Sequence, residues 1–152
     1  MLRGAFALAL AVAVVGCEPP VSEADAAESE AQEAAPEYLT PAGSNPGTSL
    51  SAGVRYGGLL YMSGKLGVRG ERGIEPETRA ALTTMKNQIE EFGSSMDRVL
   101  KCTVFLADMA EWAAMNEVYK EFFPDNKPAR AAIGVNGLAA DARIEIECVA
   151  AA

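Results

Sequence analysis

The chain has 152 residues, 13 basic and 21 acidic side chains, no histidine and a net charge of −8. That length allows one domain with a real core, and the lack of histidine argues against a zinc site or a histidine-based triad. The charge is uneven: seven of the acids lie in residues 18–46, which hold no Lys or Arg, and Arg3 alone of the bases precedes residue 47. The remainder carries a net charge near −2 and offers no basic footprint for nucleic acid.

Residues 1–17, MLRGAFALALAVAVVGC, begin with the positive Arg3 and continue in an apolar run from Ala5 to Val15. The run is short for a permanent membrane helix and has the form of a secretory signal. Its end, Val14-Val15-Gly16-Cys17, resembles the lipobox of bacterial lipoproteins, in which the cysteine is lipidated and becomes the mature N-terminus. An ordinary cleaved signal that happens to contain a cysteine is the alternative. The lipoprotein reading places the protein in the cell envelope, attached to a membrane through lipid on Cys17. Residues 18–46, rich in Ala, Glu, Pro, Ser and Gln, have little to bury and repel themselves, so they are expected to form a disordered acidic tether.

The domain is expected over residues 47–152. Ser49 to Arg55 reads as a weak edge strand, Gly57-Gly58 as a hairpin turn and Leu59 to Gly64 as a stronger strand. The segment Gly67 to Gly73 reads as a loop. Pro76 suits a first helical position, with Glu75 and Glu77 at the positive end of the helix dipole. Leu82, Met85, Ile89 and Phe92 recur at helical spacing and Gly93 supplies the stop. Asp97 to Ala107 predicts a strand with Leu100, Cys102, Val104 and Leu106 on one face and Val99, Lys101, Thr103 and Phe105 on the other.

Asp108 and Glu111 form a candidate capping box for a second helix. Trp112, Met115, Tyr119 and Phe122 then read as its core stripe, ended by Pro124. The stretch from Pro128 to Glu147 holds two short runs joined through Asn136-Gly137 and Asp141. In the second, Ile144, Ile146 and Cys148 point one way and Glu145 and Glu147 the other. These elements predict an α+β domain with both helices on one face of a mixed sheet. The other face, with Thr103, Phe105, Glu145, Glu147 and Val149, is too apolar to stay bare and is expected to pack against a copy of the chain.

Arg130 follows Pro128-Ala129 at the start of the first run. Taken alone, a guanidinium near a carboxylate fits either a small-anion site or an ordinary ion pair at a sheet edge. MSGK at 62–65, KCTVFLADM at 101–109, MNEVYKEFF at 115–123, and PAR followed by IEIE resemble the RidA (YjgF) family from about Gly47 to the C-terminus. The resemblance implies a chorismate-mutase-like fold, a homotrimer with clefts between subunits, and hydrolysis of reactive 2-imino or enamine acids to 2-oxo acids and ammonia without metal or organic cofactor. It implies that Arg130 holds the substrate carboxylate and that Glu145 positions and polarises the attacking water. Where many members have cysteine the chain has Ala132, whose backbone remains in place to contact substrate. Leu50 stands where the family tyrosine closes the cleft, and Asn136 where a small or basic residue is usual.

Three readings follow: an envelope-anchored imine or enamine deaminase, a non-catalytic trimeric module binding small carboxylates, or a structural lipoprotein in which Arg130 and Glu145 pair. Cys102 and Cys148 read as buried small hydrophobes. If their strands are neighbours in an oxidising compartment, a cross-strand disulfide also fits.

Overall fold

The structure, a computed structural model, describes residues 35–45, 47–68 and 70–152. In chain order its elements are β1 (Glu37–Leu39), β2 (Gly53–Tyr56), β3 (Leu59–Leu66), α1 (Ile74–Glu91), β4 (Val99–Leu106), α2 (Trp112–Phe122), β5 (Ala129–Gly134) and β6 (Ile144–Ala151). They form one six-stranded sheet in the order β1-β2-β3-β6-β4-β5. Only β4 and β5 run parallel, because α2 crosses between them; the other pairs are antiparallel. The α+β class, the mixed sheet and the two covering helices are as the hydrophobic spacing predicts.

Local chemistry explains most elements. Gly57 and Gly58, with φ of 57° and 74°, turn β2 into β3, so Tyr56 faces Leu59. Two consecutive positive φ values define a type I′ turn, whose twist matches that of the strands it joins. On α1, Ala81, Leu82, Met85 and Ile89 are fully buried, and Phe92 follows at the C-terminus. They meet Leu60 and Met62 of β3, Val104 and Leu106 of β4, and Ile144 and Ile146 of β6 in the principal core.

Several expectations change. β1 lies inside the segment expected to be tether: Tyr38 and Leu39 pair with Val54 and Gly53, and Glu37 with Arg55 by an ion pair. Ladder bonds and this pairing hold residues 37–39 on the domain, and the Ala42 N–H donates to the Glu91 carboxylate of α1, so ordered structure begins before residue 47. Residues 1–17 with Cys17, and 18–34 of the tether, lie outside the described residues.

The two runs of the Pro128 to Glu147 stretch are not partners, since β4 separates β5 from β6. A register shift between Val99 and Lys101 buries Val99 and leaves Leu100 half exposed, the reverse of simple alternation. The capping box is half formed. Asp108 accepts from the Ala110 N–H, while the Glu111 carboxylate turns to Arg143. Trp112, expected in the core, is 42 % exposed.

Cys102 and Cys148 face one another across β4 and β6, both buried, and are joined as a disulfide. With a sequence separation of 46, the chain-entropy model assigns such a closure about 4 kcal/mol of stability. Denatured but unreduced protein is therefore expected to leave both thiols blocked to alkylation. Reduction before a urea titration should move the midpoint down. Full alkylation without reductant would show that the two thiols are free.

Candidate functional site

Arg130 is the second residue of β5, at the sheet edge, beside Cys102 of β4. Its side chain rises on the helix-covered side and lies against α2. The guanidinium carbon is 4.4 Å from the Tyr119 ring centroid and 5.9 Å from that of Trp112, and one nitrogen approaches the Met115 sulfur at 4.0 Å. Aromatic faces attract a guanidinium without consuming its in-plane N–H donors. Every other arginine among the described residues gives an N–H to an oxygen: Arg55, Arg72, Arg79 and Arg143 to carboxylates and Arg98 to Ala152. Arg130 alone in that set reaches no oxygen. The Tyr119 hydroxyl is buried without a partner, and burial pushes its pKa up to about 12, against the opposing pull of Arg130.

Glu145 is the second residue of β6, half-buried on the opposite, helix-free face, between Phe105 of β4 and Leu66 of β3. Its carboxylate lies over Gly64, where a Cβ would come 2.0 Å from Oε1, so only glycine leaves it room. It makes no ion pair or hydrogen bond with another side chain among the described residues. Ala132 follows Arg130 on the helix side of β5 and packs on the core. Leu50 is 62 % exposed just before β2.

One protomer therefore does not bring Arg130 and Glu145 together: they face opposite sides of the sheet with β4 between their strands. Nor do they form the ion pair of the structural reading. Thr103, Phe105, Glu147 and Val149 surround Glu145 on its face, with Tyr61 and Lys101 bordering a depression of about 220 Å³ there.

Sequence reasoning missed two features. Trp112 and Tyr119 read as ordinary core, although they form the flank on which Arg130 rests; their spacing of seven on one helix face, close after a capping residue, was the available signal. It also missed the burial of Glu77. That carboxylate is completely buried and accepts from Arg72 Nε at 2.7 Å, the Gly73 N–H at 3.3 Å and the Arg143 N–H at 2.8 Å. Burial pushes its pKa up, but the Arg143 and Gly73 N–H bonds and then Arg72 outweigh that and hold it below the usual carboxylate range. Arg143 in turn grips Glu111 at the start of α2. This network ties the start of both helices to the approach to β6 and so fixes where that strand begins.

The domain is a mixed sheet backed by two helices, with an arginine that reaches no oxygen at one edge and a glutamate without a side-chain partner on the bare face, among the described residues. Residues 42–152 match the family profile described as Endoribonuclease L-PSP. A RutC family protein of Pyrococcus horikoshii is 39 % identical over 106 residues, covering 66 % of this chain and 84 % of that one. A protein of Dermatophagoides farinae named 2-iminobutanoate/2-iminopropanoate deaminase is 34 % identical over 116 residues, 72 % of this chain and 91 % of its own. Among solved structures, a putative endoribonuclease L-PSP from Entamoeba histolytica superposes with TM-score 0.68 at 33 % identity, covering 75 % of this chain and 94 % of that one. The Rid-family protein YyfA from Yersinia pestis gives TM-score 0.72 at 27 % identity, covering 78 % and 100 %. The chain belongs to the RidA (YjgF) family, whose profile is the Endoribonuclease L-PSP one.

Proposed function

We propose that this protein hydrolyses reactive 2-imino and enamine acids to 2-oxo acids and ammonia, at sites built between subunits of a homotrimer held at the cell envelope by lipid on Cys17. The observation that carries the chemistry is Arg130, oriented by aromatic faces and left with its N–H groups unspent. A planar fork in that state suits a substrate carboxylate bidentately. The deaminase name of a relative supports the same reading. The net charge near −2 of residues 47–152 speaks against an RNA substrate, despite the name of the family profile. The envelope part rests on the sequence of residues 1–17 alone.

The opposite placement of the two charged groups supports an assembly in which different patches of neighbouring subunits meet. The β5 edge with Arg130 and the open face with Glu145 are different patches. A heterologous interface that presses one patch onto the other, repeated around a closed ring, brings the two groups together at every junction. A neighbour's Glu145 then completes the site beside Arg130, and the apolar open face loses its exposure to water. Sedimentation of the protein at micromolar concentration is expected to give a single species three times the chain mass; a monomer would refute the composite site.

In the reaction, Arg130 fixes the carboxylate and thereby the C2 carbon of the imine. Glu145 accepts a proton from a water whose oxygen adds to C2, giving a carbinolamine. Glu145 passes that proton to the nitrogen; as the C–N bond breaks, the carbinolamine hydroxyl gives its own proton back to Glu145 and becomes the C2 carbonyl, so ammonia departs and the 2-oxo acid remains. The imine is already electrophilic, so positioning supplies much of the acceleration. The test is to generate imino acid in situ with an amino-acid oxidase and follow keto-acid release: the protein should accelerate it. Absence of acceleration together with a thermal upshift on adding a small 2-oxo acid would instead establish the binding module.

A further inference from the structure

Lys65 lies far from Arg130, on the other side of the sheet centre, at the end of the irregular stretch of β3 between Met62 and Lys65. The residue is only 8 % exposed. Its Nζ donates to the Ala52 carbonyl oxygen at 3.2 Å, and no carboxylate pairs with it among the described residues. It lines a cleft of about 690 Å³ between residues 41–45 and Thr48, the end of β3 and one flank of α1. Lys65 is the one ionisable side chain among the described residues lining that cleft. Gln88 lines it too, and its buried Oε1 has no hydrogen-bond donor. An amine without a counter-charge, in the same cleft as an acceptor without a donor, is costly to keep unless a ligand uses both.

We propose that Lys65 is a nucleophilic amine that condenses reversibly with a small carbonyl compound, an aldehyde or 2-oxo acid, admitted by this cleft. The Nζ lone pair attacks the carbonyl carbon, giving a carbinolamine whose hydroxyl can donate to the free Gln88 acceptor. Loss of that hydroxyl as water leaves a C=N bond to Nζ; hydrolysis reverses the sequence, and no oxidant or reductant is consumed. The amine is prepared for this: burial pulls its pKa down to about 8, so a far larger share is uncharged at neutral pH than for an exposed lysine. The proposal makes no use of Arg130 and stands or falls without it; Glu145 sits on the opposite face of the sheet, over Gly64 at the edge of this cleft.

The test uses the full chain with pyruvate and cyanoborohydride at pH 7.5, followed by peptide mapping of the reduced adducts. The exposed Lys120 and Lys127, both away from the open sheet face, serve as internal references. Lys65 is expected to label at least about tenfold faster than these, given reference lysine pKa values near 10.4. Arg130→Ala should leave that rate unchanged, and Lys65→Arg should abolish the adduct without creating a fast one elsewhere. Labelling of Lys65 no faster than the exposed lysines would overturn the proposal, as would loss of the adduct in Arg130→Ala. The comparison among lysines is made within the unaltered chain, so it is decisive whether or not Lys65→Arg folds.

Discussion

Arg130→Ala is expected to lower kcat/KM for 2-imino acids by about 10²–10³-fold while leaving the thermal midpoint nearly unchanged. Two charge-assisted hydrogen bonds to the carboxylate are lost, together about 3–4 kcal/mol at typical strengths, and each 1.4 kcal/mol is tenfold. The carboxylate is held in ground state and transition state alike, so the larger change should fall on KM. Stability should hold because Arg130 is part-exposed at the sheet edge and makes no ion pair among the described residues. Arg130→Lys keeps the charge without the fork, so it should recover only part of the loss.

Glu145→Gln should be inactive for a different reason, loss of the proton acceptor. Co-refolding the two variants distinguishes a site between subunits from one within a subunit. In a mixed trimeric ring, an intact Arg130 meets a neighbour's intact Glu145 at one of the three interfaces, and activity returns in part. If the mixture stays as inactive as its parents, the composite site is wrong even if the enzyme activity is real.

Glu77→Ala is expected to cost about 3–5 kcal/mol of stability, as breaking a buried, multiply bonded charge typically does. The Gly73 and Arg143 N–H groups and the Arg72 guanidinium all lose their acceptor. In a domain of this size, that is a large fraction of the total stability. Urea unfolding at pH 7 would measure it, and a change below about 1 kcal/mol would mean the network does not hold the helix starts in place. The pH dependence has a defined sign. Glu77 has its folded pKa depressed, so between the folded and unfolded values the unfolded chain binds more protons and stability rises with pH. The contribution is complete above the unfolded value of about 4.3 and is lost as pH falls through the folded value. Glu77→Gln, which cannot titrate, should therefore show a flatter acid limb than the parent even though it starts from lower stability.

These effects arise from contacts of unequal visibility in the chain. The hairpin glycines, the greasy side of α1, the alternation of β6 and the set PAR and IEIE are all local patterns. Such patterns follow from backbone geometry and side-chain periods of 3.6 and 2, so the fold class and the candidates Arg130 and Glu145 could be named from sequence. Leu100 could not be assigned correctly, because a one-residue bulge reverses alternation and leaves no mark in composition. β1 was hidden because three residues in an acidic stretch gain strand structure only by pairing with β2.

The sequence by itself determined the two helices, the strands other than β1, most of their apolar faces, the family resemblance and the residue types available for chemistry, because each depends on neighbours a few positions apart. Tertiary structure alone decided that β6 inserts between β3 and β4, that Cys102 meets Cys148, that Glu77 is buried under three donors, and that Arg130 and Glu145 face opposite sides of the sheet. Those outcomes depend on the order and direction in which strands pair, which is set by how the whole chain buries its apolar surface and satisfies its backbone, not by any segment alone.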